Sequence, residues 1–253
     1  MFENVNIINH LLMKIIEKTN CYDIEAIFCI IDIISKIFET NNKKFFVLNF
    51  NYYLLENIFV VIISSENSLS VSKMLWLYYK DSHYMNIKHI CEIANNILIP
   101  SFYDFFFHWS FQIRNTFYYL LCYIFEYRLK GKLSSIPNQN SFFGNSTKIL
   151  SSHSNSNFDV VNIFENNLNN IQMLSNIIYT EEYDINSKFD DEKFPNACKN
   201  IKKEFRNNII IAINHYDEVF NNFVKWKNEI KNNIEPDYPE IEISKIRDDT
   251  VDY

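Results

Sequence analysis

An all-α fold, an irregular stack of antiparallel helices, is what the sequence predicts. Apolar residues recur at the i, i+3, i+4 spacing of a core-facing helical stripe through most of the chain. Glycine, which tight hairpins and phosphate-cradling loops need, is confined to Gly131 and Gly144 in 253 residues, where roughly 7% is usual. The segments between periodic stretches are polar joints, as short connections between neighbouring helices should be.

Taken in order, residues 3–19 place Val5, Ile8, Leu12, Ile15 and Ile16 on one side. Residues 23–39 turn Ile24, Ile27, Ile31, Ile34 and Phe38 inward beside a polar stripe of Glu25, Asp32, Lys36 and Glu39, which suits contacts on two sides. The third helix, 44–63, ends in "IFVVII", a β-branched run that by itself fits a strand; its neighbours and the lack of turn residues favour a helix. "SSENSLS" is a joint and "VSKMLWLYYK" a short helix. Asn86 stands where it would cap a helix over 87–98. Pro100 breaks the chain, and Ser101 with Asp104 resembles a capping box for a helix reaching Gly131.

The stretch 131–158 is Ser- and Asn-rich and reads as a long flexible connection. A helix follows at about 159–178, and the longest pattern, 196–231, would extend roughly 50 Å. The expected organisation is a helical array over 1–130, the linker 131–158, C-terminal helices packing on the array over 159–234, and an acidic disordered tail over 235–253.

Composition narrows function. A formal charge of −7 offers no field for a phosphate backbone, so no nucleic-acid partner is expected. Cys21, Cys29, Cys91, Cys122 and Cys198 are odd in number and show no C-x-x-C pairing, so neither a disulfide framework nor a four-cysteine zinc site is indicated, and a reducing compartment fits best. The first residues carry neither a basic leader nor a cleavage site. "YYLLENIFVVII" and "FYYLLCYIF" fall short of the roughly 20 residues of a transmembrane span. His83, His89 and Cys91 lack the ligand spacing of a zinc site. His215, near Asp217 and Glu218, suits a surface hydrogen bond, and the lysines near the C-terminus look like a solvated face. No metal, cofactor or small-molecule substrate is expected.

The stretch "FFFHWSFQIRN", 105–115, asks for the closest reading. On a continuous helix over 101–130, Asp104, His108, Gln112, Asn115, Tyr119, Cys122 and Glu126 form one polar edge, and Ile113, Phe117, Leu120 and Ile124 a neighbouring core face. Asp104 would orient His108. A base at His108 would need a nucleophile, and Ser110 points about 200° away, so no catalytic set assembles. If the helix breaks at Trp109, Ser110 becomes an N-cap instead. Trp76 and Trp109 are expected in the core or in helix contacts. Arg114 and Arg128 are about four turns apart at 3.6 residues per turn, on one side with Tyr118. They form either a clamp on acidic groups of a neighbouring helix or a bracket for a partner.

Two pieces, "SKMLWLYYKDSHYM" with Lys73, Leu75, Trp76 and Tyr79, and "FFFHWSFQIRNTFYYLLCYIFEYRL" with His108, Trp109, Ser110, Arg114, Phe117, Leu120, Leu121, Tyr127 and Arg128, resemble the signature region of a large uncharacterised fungal and protist family. Its members have been described as predicted membrane proteins and are expected to be armadillo- or HEAT-like helical arrays. The resemblance spans about 70–130; Tyr118 and Tyr119 stand where more basic or histidine character is expected. It implies no reaction.

The combined expectation is a non-enzymatic helical scaffold or adaptor that binds a protein partner. It places the chain in the cytoplasm, with peripheral attachment to an acidic lipid surface as an extension. The alternatives are a membrane element through 98–128 and a hydrolase-like enzyme with His108 as base.

Overall fold

The computed structural model describes residues 5–40, 50–131, 151–179, 207–230 and 238–241. Within them the chain is all-α, an irregular stack of antiparallel helices. The helices are α1 (Val5–Lys18), α2 (Ile24–Thr40), α3 (Tyr52–Ser64), α4 (Ser68–Asp81), α5 (Ile87–Ile93), α6 (Phe102–Phe106), α7 (Phe111–Tyr119), α8 (Ser151–Tyr179) and α9 (Ile209–Glu229). A 3₁₀ turn, Ser82–Tyr84, follows α4, and π-helical stretches occupy Ala94–Leu98 and Leu120–Leu129. Contacts group the chain into two compact units, one of residues 1–97 and 239–253 and the other of 98–238. The division thus falls inside the stretch that sequence treats as one array.

In the first unit α2 packs on α4, α3 on α4 and α1 on α3. The stripes read from sequence supply the core: Val5, Ile8 and Leu12 of α1, and Ile27, Ile31, Ile34 and Phe38 of α2, are buried. "IFVVII" lies within α3, so its β-branched run yields to helical context. Residues 44–49 of the expected helix lie outside the described residues. Asn51, Asn67 and Asn86 each accept a backbone N–H three residues on, capping α3, α4 and α5.

A charged seam joins α2 to α4. Lys73 pairs with Asp32 at 2.8 Å and Lys80 with Glu39 at 2.6 Å. Both ammonium groups lie over the Trp76 ring, at 4.3 and 4.9 Å from its centroid. Trp76 is half-buried beneath two cations at this helix contact, the second of the two places expected for it. Lys80 and Lys36, both bonded to Glu39, hold its carboxyl below the usual range.

In the second unit α7 packs on α6 and α9, and the stretch Leu120–Leu129 on α8 and α9. Helix α8 begins at Ser151, so residues 151–158 of the expected linker are helical, while 132–150 lie outside the described residues. Asn208, at the end of a short 3₁₀ turn, begins α9. Of the element expected to reach 50 Å, the described part is a 21-residue helix, about 30 Å long. Residues 196–206 and most of the acidic tail lie outside the described residues.

The scarcity of glycine has a local cost. Ser65 ends α3, and the next residue, Glu66, adopts φ 56°, a left-handed position that helix ends usually give to glycine. Glu66→Gly is expected to raise the unfolding free energy by up to about 1 kcal/mol, since glycine's greater chain entropy offsets part of the relief. Denaturant unfolding reads the sign, and Glu66→Val should move it the other way.

Candidate functional site

The helix expected over 101–130 breaks at residues 107–110 without proline or glycine. Local polar side chains explain this. The backbone N–H of Ser110 donates to His108 Nδ1 at 3.0 Å, and Ser110 Oγ donates to Gln112 Oε1 at 3.0 Å. Such bonds offer the backbone an alternative to the helical ladder. Ser110 takes the extended N-cap conformation, φ −70° and ψ 122°, though its side chain makes no capping bond. Ser101 likewise makes none, so the Ser101–Asp104 capping box does not form.

A break inside a protein leaves carbonyls that must find donors. Arg114, buried at the centre of α7, supplies them: its Nη1 donates to the carbonyls of His108 and Trp109. Among the described residues no acidic side chain pairs with Arg114, so carbonyls stand where its half of the expected clamp would place a carboxylate. Burial without a counter-ion lowers its pKa. Tyr118, fully buried, shares its one hydroxyl proton between the carbonyls of Phe106, at 2.7 Å, and Ala212, at 3.0 Å. One phenol therefore ties α6, α7 and α9. Arg128 is also buried, on the π-helical stretch. The wider i→i+5 turn there means that its spacing from Arg114 no longer amounts to four α-turns.

Around this frame Ile113, Phe117, Leu120 and Ile124 are buried. Gln112, Asn115, Tyr119 and Glu126 are half-buried, as are Asp104 and His108 across the break, while Cys122 is buried. Trp109 departs from the expected core position: it is 65% exposed, because it sits at the break and not on a helix face. Phe111 is 56% exposed and stacks on His215 with centroids 4.4 Å apart. Ile211, one turn before His215 on α9, is 57% exposed. Trp109, Phe111 and Ile211 thus display apolar area on a backbone pinned from beneath.

His215 sits at this interface rather than on the surface. It bonds Asn115 Oδ1 through Nε2 at 3.2 Å and meets Tyr118 edge-on at 5.0 Å. Burial and the Arg114 charge push its pKa down to about 4, and its buried Nδ1 has no hydrogen-bond partner. Trp226 and Tyr123 form a second aromatic contact at 4.7 Å, joined by Phe223, Tyr127 and Tyr238. Sequence reasoning gave His215 a surface hydrogen bond and passed over Trp226. The available signal was aromatic recurrence along α9, which marks a buried face without naming what it meets.

His89 stacks on Tyr52 at 3.8 Å and bonds Glu92. Among the described residues no group of three or more His, Cys, Asp or Glu is placed to hold a metal ion. Among them, too, no helix is long and apolar enough to cross a membrane, which removes the spanning form of the 98–128 alternative.

Residues 8–125 match the model of a family described as "Protein of unknown function (DUF1765)". That match takes in the break, the Trp76 seam and most of the stretch whose residues suggested a family resemblance. No curated protein and no solved structure matches the chain.

Two measurements test this geometry. Tyr118→Phe leaves the Phe106 and Ala212 carbonyls without their shared donor and should cost about 1–3 kcal/mol in equilibrium unfolding. As pH falls from about 6.5 towards 4, unfolded His215 binds a proton that the folded form resists. Stability of this unit should therefore drop over that window, as followed by near-ultraviolet circular dichroism. His215→Phe, which keeps the stack on Phe111, should remove that part of the drop.

Proposed function

We propose that the chain is a non-enzymatic helical scaffold or adaptor whose binding element is the loop 107–110 together with Phe111 at the start of α7. The observation that carries the reading is the contrast between a buried Arg114 spent on holding two loop carbonyls and the exposed Trp109 and Phe111 beside them. Single exposed apolar side chains are ordinary on protein surfaces. An aromatic pair on a pinned backbone is different, because its ordering entropy is already met before a partner arrives. Tryptophan is also among the residues that dominate interface energetics when covered.

His108 serves this loop as an acceptor for the Ser110 N–H, a bond that supports a structural role over that of a general base. The partner is taken to be a protein, met in the cytoplasm. Attachment to a membrane face is the competing outcome.

Trp109→Ala in the full chain tests the proposal. Because the indole is exposed, unfolding free energy should change by no more than about 0.5 kcal/mol, while proximity labelling in the native cell should lose the neighbours recovered with the parent chain. An unchanged set of neighbours overturns the assignment. Co-flotation of the purified chain with anionic vesicles, lost in the same variant, would transfer the loop to a lipid surface.

A further inference from the structure

Asp81, the last residue of α4, has no exposed surface, and its carboxylate oxygens have no partner at full hydrogen-bond distance, the Ser35 hydroxyl of α2 acting on them as a weak donor. A buried carboxyl in this condition is stable when it keeps its proton and costly when it ionises. The groups that act on it are few. From α2 come the Ser35 hydroxyl and Glu39; from α4, Lys80; and the Asp81 charge is felt in turn by Tyr84 of the 3₁₀ turn. Among the described residues no group of α3 contributes.

Lys80 is the adjacent cation, and it is already engaged. Its Nζ lies 2.6 Å from Glu39 and 3.1 Å from Ser35 Oγ. Glu39 in turn adds a repelling charge to Asp81. Two carboxyl groups thus stand to compete for one ammonium group at the end of the α2–α4 seam.

We propose that Asp81 is a proton-operated latch on that seam: protonated, it seats the end of α4 against α2, and once ionised it competes with Glu39 for Lys80 and loosens that end. The proton leaves to solvent and no other group changes its covalent state. Burial, the largest influence, pushes the Asp81 pKa up to about 7 from the ordinary 3.8. Between those values the closed form holds a proton that the opened form has released, so the latch weakens as pH rises across the window and is level above it.

The full chain and Asp81→Asn test this together. Native-state hydrogen exchange, corrected for its intrinsic pH dependence, should show the opening constant of the α4 end rising by up to about tenfold per pH unit between roughly pH 4 and 7. In Asp81→Asn this rise should vanish, and the stability gap between variant and parent should grow over the same window and then plateau. Parallel profiles for the two chains overturn the proposal. Should the variant fail to fold, Glu39→Gln decides: with the repelling charge gone and Lys80 released, the infrared band of the protonated Asp81 carboxyl should titrate at lower pH than in the parent. An unmoved midpoint overturns the latch.

Discussion

The second unit depends on how a broken helix satisfies its backbone. Where α6 stops and α7 begins, carbonyls turn inward with no helical N–H to meet them. The chain answers with long side chains from the following helix: the Arg114 guanidinium takes two carbonyls, and the Tyr118 hydroxyl takes a third together with one from α9. A buried carbonyl left without a donor costs about 1–3 kcal/mol, so these bonds decide whether α6 can stay beside α7 at all. The aromatic packing of Phe102, Phe105, Phe106 and Phe117 presupposes that they do. Display of Trp109 is the outward face of the same solution.

The first unit is organised by another rule. Its helices α1 and α2 keep their stripes, and its seam places cations over an indole between two carboxylates. Here the polar groups lie at the edge of the apolar contact and remain partly hydrated, so each pair is individually weak. Register follows from the set: sliding α4 by one turn along α2 would break both ion pairs together, while the ring contacts, internal to α4, would travel with it. The two units also answer acid in opposite senses, because one buries a neutral imidazole and the other a carboxyl that favours its proton.

Much of the helical frame was legible because burial and the 3.6-residue period coincide. Val5, Ile8 and Leu12, and Ile27, Ile31, Ile34 and Phe38, are where their spacing puts them. The break at 107–110 was harder to read. Phe105, Phe106 and Phe107 before it and Ile113 and Phe117 after it are all buried, so the apolar pattern runs through the interruption as though it were absent. Its cause is a pair of bonds from Ser110 to His108 and Gln112, polar residues that on a continuous helix would have drawn no notice. Arg114 misled for a related reason. A guanidinium in an apolar setting suggests a carboxylate, yet carbonyls freed by the break serve as acceptors. Asp81 gave no sign in sequence, since an Asp at the end of a helix is ordinary until the fold covers it.

The π-helical stretch Leu120–Leu129 carries a consequence for how this protein can change over time. A helix that widens its turn absorbs additional length while keeping both ends in place. Upstream, α7 shows its face chiefly to α9; downstream, the widened stretch meets α8 as well. The angular offset between those two faces is therefore set by the widened turns and not by a single period running from Phe111 to Leu129. A residue inserted or lost there would re-aim one half of the segment and leave the other half's contacts standing, so the loop-bearing end and the α8-facing end can drift in sequence as separate inheritances.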